Sequence, residues 1–284
     1  MCFRIIYDEY GQTCNRFWSY LDSLGWAITQ NKKVVILFPE DGLKYYDNFR
    51  NCSFVSIPLW GKSQFIWKLA RKIFAYNRII QFFYKMRLSK KIGFYDGWSL
   101  RDDNIYYPGV KKDIEYIFKP NRDITYPIDQ LFNSIKSPGH IIVGIHLRRG
   151  DYKSWFGGKY YFEDDVYSQY MQQIVHLYPE KNVSFYFSTN EKLHDSLFRK
   201  YDIIEKPLNS APADLYALSQ CDLIIGPPST FSRWASFIGN VPLCIIYNAN
   251  MVLTSKHFSP MVGCETFANG SKMVREWRGE VYNG

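Results

Sequence analysis

Apolar residues fall in short unbroken runs, separated by longer stretches with helical spacing. CFRIIY opens the chain and a polar loop, DEYGQT, follows. A helical pattern then runs from Asn15 to about Gln30, before a second apolar run, KVVILF, ends at Pro39. Strand, loop, helix and strand in that order predict a parallel βαβ unit. From residue 140 the alternation returns: IIVGIHL, VSFYFS, DIIE, DLIIG and PLCIIY read as strands, with helix-like segments between them. In the first of those segments Val166, Tyr170, Ile174 and Leu177 recur at helical spacing and are expected to face a sheet. The strand-like runs are continuous rather than alternating, as in parallel strands covered on both faces. The pattern predicts an α/β fold of two doubly wound, Rossmann-like halves facing a cleft. The halves are 1–136 and 137–284, joined near the SPGH turn at 137–140, with the last helix packing back on the first half. Between 40 and 135 the pattern is hard to read, being aromatic-rich and punctuated by Gly97, Pro108 and Pro120.

Composition changes this picture in three places. A hydrophobic fraction of 46% over 284 residues is ample for a large core. No run of eighteen uncharged apolar residues predicts a membrane-spanning helix, and Asp8 interrupts the N-terminus before a signal peptide develops. The six cysteines form no CxxC pair and no metal-like spacing, which predicts reduced thiols, no metal site and a cytoplasmic protein. The net charge of +8 is unevenly placed: residues 65–91 hold eight Lys or Arg and no acid, so the rest of the chain balances to zero. A uniformly basic nucleic-acid binder would not look like this. The segment 65–91 reads either as a surface helix with solvated lysines and inward aromatics, or as a cationic face for an anionic membrane. Single-stranded nucleic acid binding through its interleaved aromatics is the alternative of a different class, and confinement of the charge argues against it.

Candidate chemistry gathers at two strand ends. HIIVGIHLRRGDY (140–152) runs from a buried strand into two arginines. Side chains alternate along a strand, so His146 and Arg148 project to one side and Leu147 to the other. Arg suits phosphate because its fork donates two parallel hydrogen bonds. The alternative for Arg148 and Arg149 is an ion pair with Asp151 or with neighbouring loops. In DLYALSQCDLIIGPPSTFS (214–232) a helix and a short strand lead to a proline turn, and Ser229 or Thr230 opens another helix. Either residue caps that helix, and the same geometry offers its positive end to a phosphate. In the N-terminal loop Gly11 can make the turn and Asn15 can cap the helix; a functional reading places Asn15 and Arg16 at the cleft. Neither GxGxxG nor a P-loop follows the first strand, which speaks against a nicotinamide enzyme or an NTPase.

HLRRGDY at 146–152 followed by DLYALSQCDLIIGPPSTFS at 214–232 resembles the bacterial α-1,2-fucosyltransferases and their α-1,6 and protein O-fucosylating relatives. The resemblance is specific for 140–240, weaker for 1–38 and absent for 40–135. It implies a glycosyltransferase of the GT-B type, holding GDP-fucose mainly in the C-terminal half. It further implies an inverting, metal-independent transfer to a hydroxyl of an oligosaccharide or lipid-linked glycan, with no cofactor beyond the donor. Other GDP-sugars and other linkages remain alternatives, and a lipid-linked acceptor would place the protein on the inner face of the cytoplasmic membrane. Carried over by position, Arg148 and Arg149 serve the diphosphate and His146 contributes to donor binding. Ser229, Thr230 and Phe231 hold phosphate and nucleotide, and Asp214 and Asp222 read the guanine edge or order its pocket. The family's N-terminal Gly-x-Gly-Asn-Gln loop is altered here: Gly11, Asn15 and Phe17 are kept, with Cys14 and Arg16 at the departing positions. That loop, with Gly11, Asn15 and Arg16, lies on the acceptor side. For the general base the candidates are Asp151, Glu163, Asp164, Asp165 and His146. Asp151 beside two arginines has its pKa lowered and suits orienting them instead, while the three acids of FEDD could equally cap the following helix.

Overall fold

The structure, a computed structural model, describes residues 3–7, 11–37, 39, 41–58, 92–95, 97–98, 100–101, 105–189, 191 and 195–273. The chain divides into two compact units, 1–121 and 122–284. The basic segment 65–91 and the expected terminal helix lie outside the described residues.

In the first unit the βαβ element forms from β1 (Phe3–Ile6), α1 (Thr13–Thr29) and β2 (Lys33–Ile36). With β3 (Val55–Ser56) and β4 (Ile92–Tyr95) they make a parallel sheet in the order β3-β2-β1-β4. Helix α1 is buried around most of its circumference, Phe17, Trp18, Leu21 and Leu24 completely. It therefore carries polar groups into the core as well. Asp22 is answered by Arg4 of β1 at 3.1 Å, and the Arg4 guanidinium lies over the rings of Trp26, Tyr95 and Tyr106 at 4.7, 4.6 and 4.9 Å. A buried cation is tolerated because it is both paired and faced by aromatic quadrupoles. A short helix, α2 (Lys111–Ile117), buries Ile114 and Ile117 in the same unit.

The second unit opens with α3 (Arg122–Ile135) and holds β5 (His140–His146), α4 (Asp164–Leu177), β6 (Asn182–Ser188) and β7 (Asp202–Ile203). It continues through α5 (Ala211–Gln220), β8 (Leu223–Gly226), α6 (Thr230–Gly239) and β9 (Leu243–Ile245). All pairings are parallel, in the order β7-β6-β5-β8-β9. The division at 121/122 falls one helix earlier than the turn at 137–140. The reason is what α3 touches: Asp129 accepts a hydrogen bond from Tyr216 at 2.8 Å, Lys136 donates to the Gln220 carbonyl at 2.7 Å, and Phe132 meets Tyr186 edge-on.

The predicted apolar stripe of α4 is displaced by about one residue. Tyr167, Tyr170, Met171 and Ile174 are buried in the core with Val143, Ile145 and Phe185, and Val166 and Leu177 flank it half-buried. Helix α5 starts at Ser210, whose hydroxyl accepts from the Ala213 N–H, with Pro212 in the first turn. Helix α6 starts at Ser229, whose hydroxyl accepts from the Phe231 N–H at 3.2 Å, and ends at Asn240 in the left-handed region (φ 53°). Cys14, Cys52, Cys221, Cys244 and Cys264 are free thiols.

Candidate functional site

The order of the second sheet reverses between β5 and β8, and parallel strands part their carboxyl ends at such a point to leave a crevice. Here the two strands are held unusually close. A Cβ on Gly226, the last residue of β8, would stand 2.8 Å from both the Cβ and the carbonyl oxygen of His146, the last residue of β5. Above them is a cavity of about 450 Å³ whose lining includes His146, Arg148, Glu191, Lys206, Asp214 and Phe231.

His146 is 4% exposed and its ring lies 5.2 Å from that of Phe231, tilted by 34°. Burial, and after it the positive charge of Arg148, lower its pKa to about 3. The imidazole is therefore neutral at physiological pH, and its Nδ1 has no hydrogen-bond partner among the described residues. The consequence for stability has a definite sign. An unfolded histidine titrates near 6.5, so between that pH and about 3 only the unfolded chain takes up the proton. The contribution of His146 is complete above pH 6.5 and is lost as pH falls toward 3, by about 1.4 kcal/mol per pH unit. Urea unfolding at several pH values from 4 to 7 should show this slope in the wild type and a flatter one in His146→Gln. The slope rather than the absolute stability is the readout, and identical slopes would refute the assignment.

The adjacent arginines, both beyond the end of β5, go separate ways. Arg148 reaches the cavity, bonded to Asp151 at 2.9 Å and lying over the Tyr152 ring at 5.5 Å, with its Nε unpartnered among the described residues. Arg149 turns into the protein instead. It is 6% exposed, pairs with the equally buried Asp164 and has Glu191 3.8 Å from its other terminal nitrogen. The expectation that Arg149 serves the diphosphate is corrected: its charge is already neutralised in the core, and it does not line the cavity. Asp164 stands in the first turn of α4 and is the buried partner of Arg149. Tyr152, buried and with a raised pKa for that reason, donates from its hydroxyl to the Pro228 carbonyl and ties the arginine loop to the turn before α6.

Asp214 lines the cavity and is fully engaged, accepting from the Tyr186 hydroxyl at 2.9 Å and from Lys206 Nζ at 2.8 Å. Burial raises its pKa and Lys206 opposes the rise. Asp222 is elsewhere. Its carboxylate accepts from the Ile142 N–H at 2.8 Å, at the amino end of β8 and a strand length of about 13 Å from the cavity. The expectation that Asp222 reads guanine is therefore corrected: it closes the start of the β5–β8 ladder. Ser229 and Thr230 stand at the start of α6 and of the three only Phe231 lines the cavity, the Ser229 oxygen accepting the capping bond. Asp151 and Glu163 both fall outside the lining. Asp151 is held by Arg148 with 62% of its side chain exposed, and Glu163 is an exposed residue preceding α4 that makes no capping bond. As base candidates neither faces the cavity.

Lys206 and Glu191 escaped the sequence reading. Both follow strands β6 and β7 at their carboxyl ends, so the rule that located His146 would have found them had it been applied to every strand. In the first unit Gly11 (φ +61°) turns the chain after β1, where the order of that sheet also reverses. Helix α1 begins at Thr13 with Gln12 at its cap, so Asn15 lies inside the first turn and does not cap it. Arg16 is buried and its Nε donates to the Gly11 carbonyl at 3.4 Å. Among the described residues no group of three or more His, Cys, Asp or Glu could hold a metal ion, and no helix is long and apolar enough to cross a membrane.

No family model matches the chain, and no curated protein does. Solved structures do. The chain is similar to the fucosyltransferase NodZ from Bradyrhizobium, with a TM-score of 0.50 and 18% identity, covering 85% of this chain and 94% of that one. It is similar to an Arabidopsis thaliana FUT1 mutant in complex with GDP, with a TM-score of 0.58 and 12% identity, covering 99% and 78%. It is similar to POFUT1 in complex with GDP, with a TM-score of 0.50 and 9% identity, covering 82% and 93%. What the chain shares with these three is the fold, an α/β architecture built on parallel sheets.

Proposed function

We propose that this chain is an inverting fucosyltransferase of the GT-B type that moves fucose from GDP-fucose to a glycan hydroxyl, forming an α-1,2 linkage in a bacterial surface saccharide. One observation carries the reading. At the reversal point of the second sheet Arg148 and Lys206 line a single cavity with the flat rings of His146 and Phe231, in a fold shared with solved fucosyltransferases, some with GDP bound. The positive end of α6 opens beside Phe231 and favours an anion there.

In the transfer the acceptor hydroxyl oxygen bonds to C1 of fucose and gives up its proton to solvent, while the C1–O bond to the β-phosphate breaks and that bond's electron pair leaves with GDP. Negative charge then grows on the phosphate, and the Arg148 fork, aligned beforehand by Asp151, meets it. His146 is neutral and offers a hydrogen bond rather than a charge. Asp214 acts by holding Lys206 at the cavity. The acceptor side falls to Gly11, Asn15 and Arg16 of the first unit. Calorimetric titration with GDP, then a panel of GDP-sugars and oligosaccharides with linkage analysis of the product, tests the reading. GDP binding and consumption of GDP-fucose are expected. Consumption of a different GDP-sugar would move the conclusion to that donor, and failure to bind GDP would sink it.

The lysine-rich segment 65–91 fits an anionic membrane surface bearing a lipid-linked acceptor. The protein should then sediment with anionic liposomes at low salt and be released at high salt. Absence of binding at low salt ends the membrane proposal and leaves the transfer reading untouched.

A further inference from the structure

Two large rings stand in solvent on the loop that follows the arginines. Trp155 and Phe156 are 38% and 41% exposed, and Trp155 is the most exposed tryptophan among the described residues. Single exposed rings are ordinary, but two adjacent ones form a patch. Phe156 is also held in a costly conformation. Its backbone is left-handed (φ 47°, ψ 40°), and Gly157 and Gly158 follow at φ 64° and 81°. Glycine takes that region freely, whereas a bulky side chain there is strained. The turn is locked by the Gly157 N–H donating to the Ser154 carbonyl at 3.1 Å and the Lys159 N–H to the Phe156 carbonyl at 3.3 Å. Strain of this kind gathers at ligand clamps.

The shape of the pair restricts the ligand class. The ring centres are 4.7 Å apart and the planes stand at 84°, so the two rings make a corner. A Cβ on Gly157 would meet nothing within 4 Å, which leaves open space beside them. A pyranose ring fits such a corner. The C–H bonds on one of its faces are slightly positive and pack on the negative face of an aromatic ring, while its hydroxyls stay in water. A bilayer or a protein partner would need a broader apolar patch, and here the exposed Lys153, Ser154 and Gly157 bound it. Both rings are uncharged and ask for no charge on the sugar.

The corner is fixed at a set distance from the donor cavity. The buried Tyr152 ring acts as the spacer: the Arg148 guanidinium carbon lies 5.5 Å from its centre and the Trp155 ring 4.7 Å. Trp155 therefore stands within about 10 Å of Arg148 without lining the cavity itself. A short oligosaccharide spans that distance.

We propose that Trp155 and Phe156 form a stacking platform for a neutral pyranose residue of the acceptor glycan. The word acceptor rests on the fucosyl-transfer reading; the stacking of a neutral sugar does not. The test is saturation-transfer NMR and titration of the full chain with lactose, cellobiose and chitobiose, alongside titration with GDP. At least one disaccharide should receive magnetisation on its C–H groups when aromatic protons are irradiated. Trp155→Ala and Phe156→Gly should each weaken that sugar by about tenfold and leave GDP affinity unchanged. Phe156→Gly should fold as the wild type does, because glycine accepts the left-handed backbone. Undiminished sugar binding in either variant overturns the proposal. So does a parallel loss of GDP affinity, which would mean that the rings act on the donor site. If GDP binds and none of the sugars does, the platform falls and the donor reading stands. If a sugar binds through the rings and GDP does not bind, the platform stands and the acceptor role falls with the transfer reading.

Discussion

Arg148→Lys should lose about 100- to 1,000-fold in kcat while folding as the wild type does. The loss follows from geometry rather than charge. A guanidinium places two parallel N–H groups on the phosphate oxygens as charge develops, and pre-aimed donors of that kind are worth about 3–4 kcal/mol each. The lysine ammonium keeps the positive charge but not the fork, and its shorter reach breaks the 2.9 Å contact through which Asp151 aligns Arg148. Stability should scarcely change. Asp151 is 62% exposed, and an ion pair in that setting contributes about 0–1 kcal/mol. Steady-state turnover of GDP-fucose, with thermal melting as the fold control, is the measurement. Turnover within a few-fold of wild type in Arg148→Lys would remove Arg148 from the reaction.

Asp164→Ala should do the reverse, collapsing stability through a residue outside the lining of the cavity. The Arg149–Asp164 pair has side chains 7% and 5% exposed. Removing the carboxylate leaves a buried guanidinium answered by Glu191, 3.8 Å away, and by the Tyr161 ring at 5.7 Å. Breaking a buried pair from one side destabilises by about 3–5 kcal/mol. Replacing both partners by apolar residues, Arg149→Met with Asp164→Leu, should recover most of that loss, since the destabilisation comes from the charge left alone. Denaturant unfolding of the two variants is decisive. If Asp164→Ala unfolds at the wild-type midpoint, the pair is not the structural tie described. If the double variant is as weak as the single one, the explanation by uncompensated charge is wrong.

These two neighbours show where sequence reading reaches and where it stops. The α/β class and the parallel strands of the second unit were legible because continuous apolar runs allow little else. Helix α6 was legible from a proline turn followed by Ser-Thr. The location of the cavity was legible from the strand that ends at His146. What divides Arg148 from Arg149 was not, because it depends on Asp164, fifteen residues away and read only as a cap or base. Asp222 misled for a different reason: it precedes β8 and so stands at the amino end of that strand, where the Ile142 N–H takes its carboxylate, away from the cavity. The division at 121/122 was not legible because the contacts that bind α3 to its unit, Tyr216 with Asp129 and Lys136 with Gln220, span more than eighty residues. Periodicity does not register partners at that distance.

The caged guanidinium of Arg4 sets an order of events as the chain is made. Arg4 leaves the ribosome about ninety and a hundred residues before Tyr95 and Tyr106, two of the rings that enclose it. Until they arrive, the first strand can be buried only with its cation partly uncovered, which is unfavourable. The first unit is therefore expected to stay open during synthesis until Tyr106 has emerged, and to close around Arg4 in one late step.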